Sequence, residues 1–479
     1  MPSVCNPRVF ATVLILLGAL ETTARATGLA TLGIQGTPVS SPAQPDLLAV
    51  LQNPALLPGT GAGVVVEGGA SWISVAVDTS RHGGIDPNTG ETYRTAKSSV
   101  VSPGLALAAS WQPIPGRVGL GFGVSQPMQY AVEFGETNPP PFTGPQRYSA
   151  IQADLSSLAL GPAVGLHLWK GLHVGGSISL YLDRFDLLSA WDAMGTEGMG
   201  PDDDVAGQLN PYTGDAYYLY AGRGRHVGGG AGVYYDGWDL VQVGLTFTHM
   251  GRFQTTGAGR LEVPELIGGV EVPLDATADM RLPQVFRAAV LGRPFAPVAA
   301  VLLVEQVRWT DCCGGRSGDV HVQVMDSEGD SLGPDQGLTV EIPVDQYSPR
   351  RLQDAWAVQV GVLGELGEAN RVGASARWQQ SAVPEFAVSV TNLDMETWSF
   401  SLFCDRQVGP LVVGIHGRHV VIPPRTVEHS AWDVREVTLE GDSDFVDERF
   451  SPQLPFTAST NGTYTAAHDS VVLRVGFWK

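Results

Sequence analysis

Gly171-Leu172-His173-Val174-Gly175-Gly176-Ser177-Ile178-Ser179-Leu180-Tyr181-Leu182-Asp183 alternates at every step. Leu172, Val174, Gly176, Ile178, Leu180 and Leu182 point one way, and His173, Gly175, Ser177, Ser179, Tyr181 and Asp183 the other. Successive side chains on a strand face opposite ways, so this segment has one oily face and one wet face. Such a strand either sets its oily face on a protein core, or turns it to lipid while the wet face lines a barrel lumen.

Outward from this stretch the same rhythm predicts about 14 strands. The third runs from Arg117 to Phe134, the sixth from His226 to Tyr235, the seventh from Trp238 to Met250 and the last from Ser470 to Lys479. Pro113 to Gly116 and Lys170-Gly171 read as tight turns, and Asp236-Gly237 as a two-residue hairpin. Long loops are expected at Asp186 to Gly222 and Gly251 to Met280. Short connections alternating with long ones are the pattern of outer-membrane barrels, with short periplasmic turns and longer surface loops. In hydrocarbon every backbone N–H and C=O needs an internal partner, which a closed barrel supplies without leaving an edge. A soluble exported β-protein is the alternative, and it gives no reason for this regularity.

The N-terminus fits export. Val9 to Leu20 is an apolar run of about 12 residues behind Arg8, and Ala24-Arg25-Ala26 is an A-x-A cleavage signal. The expected mature chain starts at Thr27. No later stretch holds the ~20 apolar residues of a membrane helix. The domain reading at this point is a signal peptide over 1–26 ahead of the strands.

The net charge of −20 argues against nucleic acid and against anionic lipid as electrostatic partners. Charged residues make up only 16% of the chain and mean hydropathy is +0.04, as suits strands that are oily on one side only. Much of the acid lies in predicted loops: Asp202-Asp203-Asp204, Asp326 to Asp335, and Asp442 to Glu448. Asp326-Ser327-Glu328-Gly329-Asp330 lacks the downstream bidentate Glu of a calcium loop. Cys312-Cys313 could form a vicinal disulfide in an oxidising compartment, and Cys404 reads as a small strand residue. No C-x-x-C pair, G-x-S-x-G, P-loop or H-E-x-x-H occurs, so neither a metal, a cofactor nor a catalytic group is expected.

Four ordered stretches resemble the FadL-type outer-membrane transporters of long-chain fatty acids and other hydrophobic compounds. Gln52-Asn53-Pro54-Ala55 looks like the family's N-P-A motif. Arg147-Tyr148 with Leu155 and Leu160-Gly161-Pro162-Ala163-Val164-Gly165 is similar to a strand ending in a P-A-V-A-like segment. Gly228 to Val233, leading into Val243 to Phe247, resembles a hairpin after the third surface loop. Leu282-Pro283 with Phe286, ending at Trp309, looks like the family's L-P strand. The chain departs from the pattern in ending Phe477-Trp478-Lys479, which displaces the terminal aromatic, and in its longer, more acidic loops.

The resemblance implies an all-β, 14-stranded transmembrane barrel over 60–479 with an N-terminal plug over 27–59 inside it, in the outer membrane of a Gram-negative bacterium. It implies passive uptake of a hydrophobic ligand, captured by surface loops, gated by the plug and released sideways through a kinked third strand. The gate would be Asn53, Pro54 and Ala55; an Asn-Pro breaker that merely ends a helix reads the same. Pro127 falls inside the third strand, where it cannot donate to the ladder. With Gly123 and Gln126 it marks the expected lateral opening, or else a plain bulge. Leu187, Leu188, Trp191 and Met194 in one loop, and Leu261, Leu266, Ile267 and Val270 in the next, would bind the ligand. Luminal His173, Arg371, Arg377, His416, Arg418 and Arg474 could meet a ligand carboxylate or be balanced by acids such as Asp183. The partners expected are that ligand and outer-membrane lipid, around a monomer. A barrel serving protein secretion or surface attachment is the alternative function, and a polar porin a third.

Overall fold

The computed structural model describes residues 41–78, 95–134, 145–192, 215–262, 271–309, 320–325, 345–348, 352–428 and 461–478, except 45, 149, 296, 368, 386, 387 and 389–392. The strands are β1 (Gly63–Asp78), β2 (Ala96–Ile114), β3 (Val118–Glu133), β4 (Gln152–Trp169), β5 (Leu172–Asp192), β6 (Asp215–Tyr235) and β7 (Val241–His249). Next come β8 (Arg252–Glu262), β9 (Glu271–Arg281), β10 (Gln284–Phe295), β11 (Val298–Arg308), β12 (Val320–Met325) and β13 (Asp345–Ser348). The last are β14 (Ala355–Leu366), β15 (Asn370–Gln379), β16 (Thr397–Val408), β17 (Leu411–Val421), β18 (Arg425–Val427) and β19 (Gly462–Trp478).

Fourteen of them, β1 to β7, β10, β11, β14 to β17 and β19, close an antiparallel barrel. Closure runs through β1 and β19, in register from Gly63↔Trp478 to Asp78↔Thr463. The outward phase is apolar: Val64 and Trp72 on β1, Leu402 and Phe400 on β16, Leu473 and Phe477 on β19 are all exposed. At ~3.3 Å per residue and ~40° of tilt, Val64 to Trp72 spans roughly 20 Å of height, close to the ~25 Å apolar band of such barrels. Trp111, Trp169 and Trp238 rim the short-turn end, and Trp72, Trp356 and Trp398 the loop end. Cys404 is also exposed, on the outward phase of β16.

The short turns follow their chemistry. Lys170 and Gly171 both take positive φ, 39° and 82°, as a right-twisted two-residue hairpin requires. The Asp236-Gly237 hairpin is longer than the expected two residues, because β6 ends at Tyr235 and β7 begins at Val241. Asp236 N donates to Gly171 O (3.0 Å), so this turn is seated against its neighbour rather than closed on itself.

Two expected loops are not loops throughout. β5 runs on to Asp192 and β6 starts at Asp215, paired from Leu172↔Tyr235 to Asp192↔Asp215. The Gly251 to Met280 segment holds the β8–β9 hairpin. The upper part of β6 leaves β7 and pairs with β8, and β9 pairs with β12, so a side sheet β6-β8-β9-β12-β13 rises above the barrel. Of the apolar residues read as loop contacts, Leu187, Leu188, Trp191 and Leu261 are thus strand residues. β19 also starts earlier than expected, at Gly462.

Candidate functional site

The described plug begins at Ser41. A short helix, α1 (Ala49–Gln52), is followed by a 3-10 turn over Pro54–Gly59. Asn53 caps that turn: its Oδ1 accepts from Ala55 N (3.1 Å), and Pro54 sits where no N–H is needed. Its Nδ2 donates to Pro42 O (2.7 Å) and to Val233 O on β6 (3.3 Å). Buried Asn53 therefore joins both halves of the plug to the wall, and Ala55 packs beside it against Tyr234. The expected gate residues sit together at this joint.

Glycines on the wet phase let the plug lie directly on the wall. A Cβ at Gly119 would meet Leu57, at Gly165 and Gly175 it would meet Pro54, and at Gly244 it would meet Pro42. Gly123, expected at the lateral opening, belongs to this cradle: its missing Cβ leaves room for Leu51 and Val50. Gln112 Nε2 adds hydrogen bonds to Leu57 O (3.2 Å) and Pro58 O (2.7 Å).

A buried charge cluster fixes the plug to the barrel. Asp46 lies 2.5 Å from Arg474 Nη2 and 3.7 Å from Arg371 Nη2. Arg371 also bonds Asp405 (2.7 Å), and Asp405 faces His416 Nε2 (3.0 Å). Glu67 stands 3.8 Å from Arg474 Nε and accepts no hydrogen bond among the described residues. Arg474 and Glu67 are both 0% exposed. Burial pushes the Asp46 carboxyl up, but Arg474 and Arg371 outweigh it and hold it below the usual carboxylate range.

A second luminal cluster carries more positive than negative charge. Glu305 accepts from Arg287 Nε (2.5 Å) and Arg377 Nη2 (2.6 Å). Arg418 reaches only Ser399 Oγ, at 3.3 Å, and its Nε has no partner among the described residues. Arg287 and Arg377 thus share one carboxylate, and Arg418 meets none among the described residues. Arg418 lies two residues above His416 on β17, toward the loop end. Around and above this layer, Val75, Met128, Val132, Leu155, Tyr181, Phe185, Met250 and Phe253 belong to one continuous apolar cluster.

The basic residues expected in the lumen therefore divide. Arg371, His416 and Arg474 are occupied by Asp46, Glu67 and Asp405, whereas Arg377 and Arg418, with Arg287, are not balanced. His173 stacks on His167 and lies 3.5 Å from Asp236 at the turn end.

Pro127 disturbs the wall as its missing donor demands. On the β4 side, Ser125 pairs with Ala159 and Met128 with Ser157, so Gln126 and Pro127 together oppose one residue. On the β2 side the ladder ends at Ala106↔Ser125. Above it side chains bridge the two strands: Leu105 N donates to Gln126 Oε1 (3.2 Å) and Glu133 N to Ser98 Oγ (2.9 Å). A cavity of about 80 Å³ reaches from Leu48 and Leu51 of the plug past Pro127 and Tyr181 to Arg287. Pockets that bury a whole small ligand hold ~300–1,000 Å³, so this cavity admits part of one while the plug is seated.

Of the expected ligand contacts, Leu261 is buried in the apolar cluster and Leu187 packs against it. Leu188 packs with Ile151 and Ala190, and Trp191 lies on β5. Met194, Leu266, Ile267 and Val270 lie outside the described residues, as do Cys312, Cys313, the acidic loops and residues 1–40. Ser157, Asp183 and His226 gather without forming a nucleophile. The Ser157 hydroxyl and His226 Nδ1 each contact a different Asp183 oxygen (2.6 Å), so the imidazole does not face the hydroxyl. Sequence reasoning missed Asp46, Glu67, Glu305 and the glycine cradle. An acid or a glycine on the wet phase was the available signal.

No protein-family model and no curated protein matches the chain. Among solved structures, a FadL homologue of Pseudomonas aeruginosa superimposes with a TM-score of 0.68 at 12% identity, covering 95% of this chain and 100% of the other. The toluene transporter TbuX of Ralstonia pickettii gives 0.58 at 16% identity, over 93% and 96%. The toluene transporter TodX of Pseudomonas putida gives 0.57 at 12%, over 95% and 99%. The chain has the fold of the FadL-type outer-membrane barrels, as the resemblance implied.

Proposed function

We propose that this protein is a passive channel for anionic amphiphiles, long-chain fatty acids as a class, across the outer membrane of a Gram-negative bacterium. One observation carries the choice of ligand: the apolar upper lumen ends on Arg287 and Arg377, which share the single carboxylate of Glu305, and on Arg418, which meets no carboxylate among the described residues. A hydrocarbon has no use for an unbalanced guanidinium layer, and burying one without a partner is costly. A carboxylate supplies the missing partner through charge-assisted hydrogen bonds while its tail stays in the apolar cluster. Toluene transport by two proteins of similar fold supports passage of hydrophobic molecules in general. In this reading the ligand enters from the loop end and rests its head on the arginine layer. It then leaves through the β2–β3 gap once the plug moves.

The test is native mass spectrometry of the detergent-purified barrel with hexadecanoate and hexadecanol. Hexadecanoate retention should fall about tenfold or more in Arg418→Gln, while hexadecanol is retained alike by both proteins. Equal retention of acid and alcohol in both would move the reading to a neutral hydrocarbon ligand.

A further inference from the structure

His468 on β19 is 3% exposed and lies on the luminal phase, and neither of its ring nitrogens has a hydrogen-bond partner among the described residues. Three other luminal histidines each face an acid: His416 meets Asp405 (3.0 Å), His226 meets Asp183 (2.6 Å) and His173 stands 3.5 Å from Asp236. His468 instead pairs with Val420 on β17 and Ile73 on β1, both apolar. The charges that act on it are Arg418 and Asp469. Asp469 lies on the outward phase and contacts His419 Nδ1 (2.7 Å), so among the described residues the lumen offers this ring no carboxylate.

Arg418 and His468 bracket Val420. Arg418 pairs with Ser470, and its guanidinium reaches up to Ser399 Oγ (3.3 Å). Ser399 and His468 pair with Val420 from opposite sides, so guanidinium and imidazole lie at one height. Their backbones are two strand spacings of ~4.8 Å apart, roughly 10 Å, part of which the two side chains span. Arg418 Nε is unpartnered as well. Val420, between them, belongs with Val75 and Met395 to the apolar cluster assigned to the ligand's tail. Two polar groups without partners thus border one oily space.

A cationic imidazole here would add to an arginine layer that already lacks partners, so the uncharged ring is the form to be satisfied. That form has one N–H donor and one bare acceptor nitrogen. A plain carboxylate only accepts, and it leaves the bare nitrogen empty. A hydroxyl close to the carboxylate can donate to that nitrogen. From this geometry we propose that the ligand is a hydroxy fatty acid, its carboxylate on Arg418 and a hydroxyl a few bonds away, as at carbon 3, on His468. The proposal rests on the carboxylate reading of the arginine layer and narrows its substrate class. A site built to hydrogen-bond a hydroxyl rejects the analogue that lacks one, because its own buried polar groups are then left unpaired.

The test is native mass spectrometry of the purified full barrel in an equimolar mixture of hexadecanoate and 3-hydroxyhexadecanoate. The parent should retain the hydroxy acid at least tenfold over the plain acid. His468→Leu should lose that preference and retain hexadecanoate as the parent does. His468→Gln, whose amide keeps a donor and an acceptor, should recover part of the preference. Heat-modifiable migration confirms that each barrel is folded. Equal retention of the two acids by the parent, or an undiminished preference in His468→Leu, would overturn the hydroxyl assignment whatever Arg418→Gln does. Arg418→Gln should lower both acids alike and so reports on the carboxylate reading separately. If it lowered neither while His468→Leu abolished the preference, the carboxylate reading would fall and the hydroxyl contact at His468 would stand.

Discussion

Substituting Asp46→Asn should unseat the plug and leave the barrel intact. Asp46 is the plug's contribution to a cluster otherwise built from β1, β15, β16, β17 and β19, and it faces Arg474, which is 0% exposed. Removing one partner of a buried ion pair costs about 3–5 kcal/mol, because the other charge is left without compensation. Arg474 keeps Glu67 and Asp405, each 3.8 Å away, and Arg371 keeps Asp405 at 2.7 Å, so part of the compensation survives. A loss of about 2–3 kcal/mol is the reasoned figure, equal to a roughly 30- to 150-fold larger undocked population. Ser41→Cys, buried within the plug, can report it through the rate of labelling by a water-soluble maleimide in a chain lacking Cys312, Cys313 and Cys404. Labelling should accelerate by that factor in Asp46→Asn. A rate within threefold of the parent's would refute the cluster as the plug's fastening and leave the glycine cradle and Asn53 as its holders.

Gly175→Val places a side chain on the Pro54–Ala55 backbone and should also expose Ser41→Cys to maleimide; Gly176→Ala, with no atom nearer than 3.7 Å, should not. Deleting Pro127 removes the extra residue opposite Leu158 and lets β3 re-pair with β2, so uptake of fluorescent fatty acid into whole cells should drop severalfold while native mass spectrometry still finds bound hexadecanoate. Arg425 bonds Ser381 Oγ (3.0 Å), Asp394 O (3.0 Å) and Val383 O (2.9 Å), so Arg425→Ala should raise hydrogen exchange at Ala382, Val383 and their neighbours at least tenfold. Burial pushes the nearby Asp394 carboxyl up to about 6. An acid whose folded pKa is raised favours the folded form most below its ordinary value of 3.8, and that advantage is lost as pH rises through about 6. Exchange at the same amides, corrected for intrinsic rate, should therefore grow between pH 5 and pH 7.5; a flat profile would show that Asp394 does not tighten this segment.

The barrel was legible because each strand carries its own evidence. Alternation across Leu172 to Asp183 needs no knowledge of any other strand, and the exposed band confirms its phase: Ile178, Leu180 and Leu182 are open while Tyr181 and Asp183 are buried. Pro127 was legible for the same reason, since one missing N–H predicts a break wherever the strand lies. The side sheet was not. The β8 stretch Arg252–Glu262 alternates Arg, Gln, Thr and Ala with Phe253, Thr255 and Leu261, too polar to stand out from a loop until β6 offers it an edge. Its stability comes from a partner that ends some thirty residues away in sequence.

The lumen was half legible, and the missing half has one cause. Arg371, Arg377, Arg418 and Arg474 occupy the same wet phase in the sequence, and nothing local separates them. What separates them is which acids reach them: Asp46 lies 428 positions from Arg474 along the chain, and Glu305 lies 72 from Arg377. In the proposed function, a charge that is neutralised fastens the plug, and a charge that is not is left to meet a ligand. That distinction is a property of pairs across the barrel, and it turns a list of luminal bases into two layers with different partners. The same rule ranks the variants: Arg474→Gln should act on the plug and Arg418→Gln on ligand retention, although the two side chains lie on adjacent strands, Arg418 opposite Ser470 and Arg474 opposite Gly414. If Arg418→Gln unseated the plug as strongly as Asp46→Asn, the two layers would be one network, and the carboxylate reading of the upper layer would lose its basis.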